Sequence, residues 1–346
     1  MTRTIVRPGE LDFETPGVRH YHVALEHDSI WGDHLIPLSV FVGPEVRAGE
    51  GLVAFGANHG NEYEGPIAIR HVMDEIAPEA VRGRIILVPV LNVAAFKAST
   101  RDSTADDGAN LNRTFLPGAG EGQAQRGITH RIAAFVRQAI WPHVHVVLDL
   151  HAGGLVARFI PMTSYHEVDD PVLSQKIEAT ARWFGTPLVI TYQNETPGLL
   201  SSEAERLGKI TVGCELGHGE AIQPAGVAYG RQGIVAAAIH HGQLSGTIAP
   251  FGHHAAGTQR AAAMVDRACF SPAPFSGHYE PLMECGATVR AGDTVGLLHD
   301  FDRIDLKPEP IRAEVDGIVL AQAWRAPVMQ GQHVLVVGRE GRFRAA

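Results

Sequence analysis

Short apolar runs that end in polar residues recur along this chain. Leu52-Val53-Ala54-Phe55, the run from Arg84 to Leu91, the run from Val144 to Leu150 and Ile210 to Cys214 show no alternating wet face. Strands buried on both sides read this way. Between the first two runs, Ile67, Ile69, Val72, Met73 and Ile76 recur at helical spacing, which predicts a helix beginning near Pro66. Strand, helix, strand is the signature of a mainly parallel sheet. Further helices are predicted over 128–140, stopped before Pro142, and over 170–184, with Asp170 as N-cap and Pro171 at the first helical position. Two more are predicted over 202–207, ending at Gly208, and over 229–244. Leu188 to Tyr192 reads as another strand. His20 to Leu25 and Leu35 to Val42 form a β-rich entry joined by a turn at 29–32.

The pattern changes after Gly246. Residues 247–268 read as a connector with a short helix over 260–265. From Cys269 onward, turn signals crowd in at Ser276-Gly277, Ala291-Gly292, Asp316-Gly317 and Gly331. The β-prone runs 294–298, 318–321 and 333–337 lie between them, which predicts a small all-β barrel or sandwich. The expected division is therefore 1–246, a connector over 247–268, and a β-domain over 269–346.

Composition narrows the function classes. The chain has 346 residues, 45% of them hydrophobic, which is enough for a large core. The net charge is -9 and no lysine or arginine cluster appears, so a nucleic-acid footprint is absent. The cysteines, Cys214, Cys269 and Cys285, are odd in number and widely separated, which argues against a disulfide framework or a thiolate metal site. No stretch approaches the roughly 20 apolar residues of a membrane span, and the start lacks an apolar core of signal-peptide length. A cytoplasmic protein is expected. Most of the 19 histidines, including the adjacent pairs His240-His241 and His253-His254, are read as ordinary surface residues.

The chemistry concentrates where the apolar runs stop. After Phe55 comes Gly56-Ala57-Asn58-His59-Gly60-Asn61-Glu62, whose glycines and Asn58 allow a tight turn. His59 and Glu62 can then aim at one point, and imidazole plus carboxylate suits Zn²⁺. Taken alone, His-x-x-Glu reads better as a polar turn; set in a glycine-rich turn after a buried strand, the two readings stand level. His151, ending another run, offers a third ligand, and Asp149 shares its strand face as an orienting group or a structural hydrogen bond. Glu215 ends a strand of otherwise small or apolar side chains, as a general base for a metal-activated water or as a capping residue. Asn92 ends a fourth run. Ligands in open α/β sheets bind beyond the carboxyl ends of the strands. In the polar stretch from Ser99 to Gly122, Asn112-Arg113 pairs an amide with a guanidinium fork that suits a carboxylate, and a solvated loop arginine is the plain alternative. Arg101 could reach the same cavity. Glu64, Glu203, Glu220 and His218 are assigned surface or supporting roles.

His59-x-x-Glu62, Asn112-Arg113, His151 and Glu215, in this order, resemble the zinc carboxypeptidase-like superfamily, and within it the succinylglutamate desuccinylase/aspartoacylase family. The resemblance implies a three-layer α/β/α domain with a mainly parallel mixed sheet, followed by a β-domain near the active-site mouth. It implies one Zn²⁺ per chain on His59, Glu62 and His151, catalysis by Glu215, carbonyl polarisation by Arg101 and substrate-carboxylate binding by Asn112 and Arg113. The family often has Asp where this chain has Asn110, which removes a charge there. Glu10 to Gly17, Ser29 to Pro37 and the His59 block are most similar to the branch that deacetylates N-acetyl-2,4-diaminobutyrate in ectoine breakdown. Tyr279 is the β-domain residue expected to reach substrate. The expected partner is a small N-acylated amino acid, with no nucleic acid and no membrane, and a homo-oligomer is left open. The substrate's side-chain ammonium needs an acidic or carbonyl partner, for which Glu203 and Glu220 are the candidates. Rival readings are deacylation of succinylglutamate or acetylaspartate, and a non-catalytic carrier. The single lysine of the β-region, Lys307, lacks a carrier's hairpin setting.

Overall fold

A computed structural model describes residues 4–26, 32–116, 127–193 and 196–344. Residues 29–31 of the predicted entry turn and 117–122 of the predicted polar loop lie outside these. The fold is mixed α/β, with one large mixed sheet whose centre is parallel and a separate small antiparallel sheet.

Four neighbouring strands form the parallel centre of the large sheet: Arg84–Val88, Gly51–Gly56, Val146–His151 and Ile210–Glu215. Because they run the same way, their carboxyl ends open on one edge. Side chains alternate across the sheet, as strand geometry requires. Val53, Phe55, Ile86, Val88 and Val147 join one buried cluster, with Phe135, Ile140 and Trp141. Leu52, Ala54, Ile85, Leu87, Val146 and Leu148 join another, with Ala68, Ile69, Val72 and Ile234. Burial on both faces accounts for the unbroken apolar runs.

The helix predicted near Pro66 spans Glu64–Glu75 and buries Ala68, Ile69 and Val72. Asp170 caps Pro171–Arg182 as predicted, accepting from the backbone N–H of Val172 and Leu173. The helix predicted over 128–140 is α-helical only over Ile128–Phe135, then widens to a π-helix over Val136–Ile140 before Pro142. The last long helix starts earlier than its apolar pattern suggested, at Pro224, and ends at His240.

Beyond Glu215 the sheet reverses. Met162–His166 runs antiparallel to Ile210–Glu215, and Leu188–Tyr192 runs parallel to Met162–His166. The helix expected over 260–265 is instead a strand, Arg260–Met264, paired with Leu188–Tyr192 and His333–Gly341. Its three consecutive alanines favour a helix locally, but the backbone ladders on both sides decide the outcome. His333–Gly341 and Gly317–Ala323 extend the large sheet further, while Gly277–Pro281 and Thr294–His299 lie at the centre of the small one.

His241, just past the last long helix, packs edge-on against His145 and His240, and its Nε2 lies 2.8 Å from Thr180 Oγ1. Burial, then the neighbouring rings, push its pKa down to about 3. Unfolded, the ring titrates near ~6.5, so the unfolded chain takes up the extra proton on acidification. The neutral ring's contribution is whole above that value and is lost as pH falls towards 3. Between pH 7 and pH 5, stability should drop by up to about 2 kcal/mol from this group alone. Urea denaturation of wild type and His241→Asn at both pH values should show a shallower pH dependence in the variant.

Candidate active site

The turn after Gly51–Gly56 is tight, but its left-handed residue is Ala57, at φ +49°, not one of the glycines. A non-glycine residue there is strained, and such strain often marks a working turn. Gly60 serves close packing, since a Cβ there would lie 2.1 Å from the Ala95 carbonyl carbon. Asn92 caps the next helix and, through its Nδ2, reaches the Asn58 carbonyl, which fixes the turn from beneath.

This turn, together with the neighbouring strand ending at His151, brings His59, Glu62 and His151 together. One donor atom from each lies within 4.8 Å of the other two. His59 Nδ1 is 2.9 Å from Glu62 Oε1, and His151 Nδ1 is 2.9 Å from Glu62 Oε2. The other ring nitrogens are held from behind. His59 Nε2 faces Asn110 Oδ1 at 3.3 Å, and His151 Nε2 faces Asp149 Oδ2 at 2.9 Å. Acceptors behind both rings favour the Nδ1 lone pairs pointing at a shared centre, the usual support for imidazole ligands. Asn110 thus supports His59 without adding charge.

Charge in the cluster is strongly biased. Burial opposes ionisation of Glu62, but the His59 and His151 rings hold its carboxyl well below the usual range. Burial also opposes a charged His151, yet Asp149 and then Glu62 hold it well above the usual imidazole value. His59 is pushed down by burial. Arg101 Nη1 donates to Glu62 Oε1 at 2.8 Å, and the Ala152 N–H donates to Oε2 at 3.0 Å.

Glu215 stands directly opposite His151 in the paired strands. Burial, then the negative Glu62, push its pKa up to about 8. Its Oε2 and Asp149 Oδ1 are buried without a hydrogen-bond partner. Two imidazoles and a carboxylate with converging donors, beside partnerless acidic oxygens, fit a divalent cation of borderline character.

A pocket extends from this cluster. It is lined by His59, Arg101, Asn112, Arg113, His151 and Glu215, with Ser164, His166, Tyr192, Ser201, Glu205 and Gly213 farther along. Asn112 is fixed by the Leu200 N–H on its Oδ1, and its Nδ2 lies 3.4 Å from His151 Nε2. Arg113 Nη1 donates to the Asn112 carbonyl, and burial, then Arg101, depress its pKa. Two guanidinium groups on one wall make that wall cationic.

Tyr279 is not among the residues brought here. It is 3% exposed in the core of the C-terminal region, with its ring against Gly296. Its aromatic bulk serves packing, and its position on the Gly277–Pro281 strand points it inward. Glu203 is also elsewhere, paired with Arg137 at 2.6 Å and with Trp141 Nε1 at 2.8 Å. Glu64 accepts from the Gln223 N–H, and His218 packs on Trp324. The residues missed in the sequence are Ser164, His166 and Glu205. Two signals pointed to them: Ser164 and His166 share a strand face, and Ser201 and Glu205 share a helix face.

Residues 48–241 match the model of the succinylglutamate desuccinylase/aspartoacylase catalytic domain. The chain belongs to the succinylglutamate desuccinylase/aspartoacylase family. An N-alpha-acetyl-L-2,4-diaminobutyric acid deacetylase of Halomonas elongata is 33% identical over 94% of this chain and 93% of its own length. A succinylglutamate desuccinylase/aspartoacylase crystal structure from Rhodobacter sphaeroides superposes with a TM-score of 0.87 at 30% identity, over 96% of this chain and 98% of that one. The product-bound ectoine utilization protein EutE (DoeB) of Ruegeria pomeroyi gives 0.85 at 30% identity, over 95% and 98%. The family membership expected from the motif order therefore holds across nearly the whole chain. Among the described residues no helix is long and apolar enough to cross a membrane.

Proposed function

We propose that this chain is a zinc-dependent deacetylase that hydrolyses N-alpha-acetyl-L-2,4-diaminobutyrate to acetate and L-2,4-diaminobutyrate, a step of ectoine catabolism. The observation that carries the reading is a pocket lined by both imidazoles of a His-Glu-His donor set, a carboxylate with one partnerless buried oxygen and two arginines. The choice of substrate draws on the Halomonas elongata relative and the Ruegeria pomeroyi structure.

His59, Glu62 and His151 would hold one zinc ion, which when bound supplies a Lewis acid and brings the pKa of its water towards ~7. Glu215 accepts a proton from the attacking water and returns it to the α-nitrogen as the C–N bond breaks. Arg101 offers its guanidinium to the acyl oxygen, where negative charge develops. Asn112 and Arg113 hold the α-carboxylate, so the amide is fixed over the chemical centre. Asp149 and Asn110 keep the two imidazoles turned the right way.

Hydrolysis of acetyl-diaminobutyrate, succinylglutamate and acetylaspartate by protein of measured zinc content tests the reading. The first should lead by at least about tenfold in kcat/KM, the ratio that one well-made charged contact supplies. A lead for either dicarboxylate would replace the assignment with the corresponding deacylase.

A further inference from the structure

The ammonium group of a diaminobutyrate side chain needs an anion inside the pocket. Among the described residues three carboxylates line it: Asp149, Glu205 and Glu215. Asp149 is committed to His151, and Glu215 stands at the chemical end. Among the described residues Glu205 is the remaining one. It lies in the last turn of the Leu200–Arg206 helix, four residues after Ser201, so both face the pocket from one side of that helix. Glu203, two residues earlier, is rotated away into its pairing with Arg137 and Trp141.

Glu205 is fixed in place. His166 Nδ1 lies 3.0 Å from one carboxylate oxygen and 2.9 Å from the other, and the two side chains are 13% and 11% exposed. The His166 ring in turn packs at 5.3 Å on Tyr192. An imidazole donating from Nδ1 orients the carboxylate and leaves its charge in place.

The path between the two ends is open. Gly213 and Ser164 face each other across adjacent strands, and a Cβ at Gly213 would lie 3.0 Å from Ser164 Oγ. Glycine therefore keeps the floor clear between Glu215 and the His166–Glu205 pair. Met162 stands opposite Glu215, so His166, four residues beyond it and on the same strand face as Ser164, lies about 13 Å along the strand from the level of the chemical end. An extended diaminobutyrate chain spans about 6 Å from acyl carbon to terminal nitrogen, roughly half of that distance, and leaves the rest to the side chains at either end. With the α-carboxylate on the arginine wall, that nitrogen is carried towards Glu205.

We infer that Glu205, oriented by His166, receives the substrate's side-chain ammonium, so that the pocket selects N-acyl amino acids with a cationic side chain. The inference rests on the deacetylase reading. The test compares N-acetyl-L-2,4-diaminobutyrate with N-acetyl-L-norvaline, its uncharged near-isostere, on zinc-loaded wild type, Glu205→Gln and Glu205→Asp. Wild type should prefer the charged substrate at least tenfold. Glu205→Gln should lower kcat/KM for it ten- to hundredfold, chiefly through KM, and leave the norvaline compound unchanged. Glu205→Asp, which keeps the charge, should recover part of the loss. Calorimetric binding of the product L-2,4-diaminobutyrate should weaken in parallel. An equal loss on both substrates marks a structural role and overturns the inference, as does an unchanged preference in Glu205→Gln. Both outcomes leave the deacetylase reading intact. Should wild type hydrolyse neither compound, the deacetylase reading falls first and the inference with it.

Discussion

Glu215→Ala should lower kcat about a thousandfold, within the range general acid–base groups supply, while metal binding at the proposed site stays at the wild-type level. The reason lies in the division of labour at the strand ends. Glu215 is opposite His151 but outside the converging donor set, so on the proposed mechanism its removal takes away the proton acceptor and spares the donor set. Glu215→Gln keeps the shape and loses the base, so it should fall about as far. Thermal stability should hold in both, because a buried carboxyl with a partnerless oxygen contributes little to the fold. Metal analysis beside steady-state kinetics decides the matter. Near-wild-type turnover in either variant would remove Glu215 from the mechanism.

His151→Ala should behave in the opposite way. It deletes a donor, so zinc affinity should fall by more than about a hundredfold, beyond what a supporting partner's loss usually causes. The metal-free fold should also weaken by about 3–5 kcal/mol, because the ring lies between the carboxylates of Asp149 and Glu62. Asp149→Asn keeps the contact but not the charge and should cost only about ten- to hundredfold in affinity. Chelator competition on the purified variants gives the ranking. Unchanged affinity in His151→Ala would mean that the converging donors do not bind the ion.

Much of this site could be read in the chain because its residues mark ends. His59, His151 and Glu215 follow apolar runs, and runs buried on both faces belong to the middle of a parallel sheet. Three neighbouring parallel strands necessarily open their carboxyl ends side by side. Glu205 and His166 carried no such mark. Glu205 differs from Glu203 only by helical phase, and nothing in the chain itself says which phase faces the pocket. Tyr279 failed for a related reason: aromatic residues in small β-units are more often needed inside than at a mouth. The Arg260–Met264 strand was misread because local alanine preference is weak beside two adjoining ladders. Similarly, the strain at Ala57 is set by the turn's surroundings and is invisible in composition.

That strand has a mechanical consequence. Because Arg260–Met264 is hydrogen-bonded on one side to Leu188–Tyr192 and on the other to His333–Gly341, the C-terminal third is woven into the same sheet that carries Tyr192. Swinging it aside like a hinged lid would tear a continuous backbone ladder. Substrate must therefore be admitted by loops and side chains around the rim. A polypeptide cut after Gly246 would expose a raw strand edge, prone to stick to its copies, in place of a trimmed enzyme.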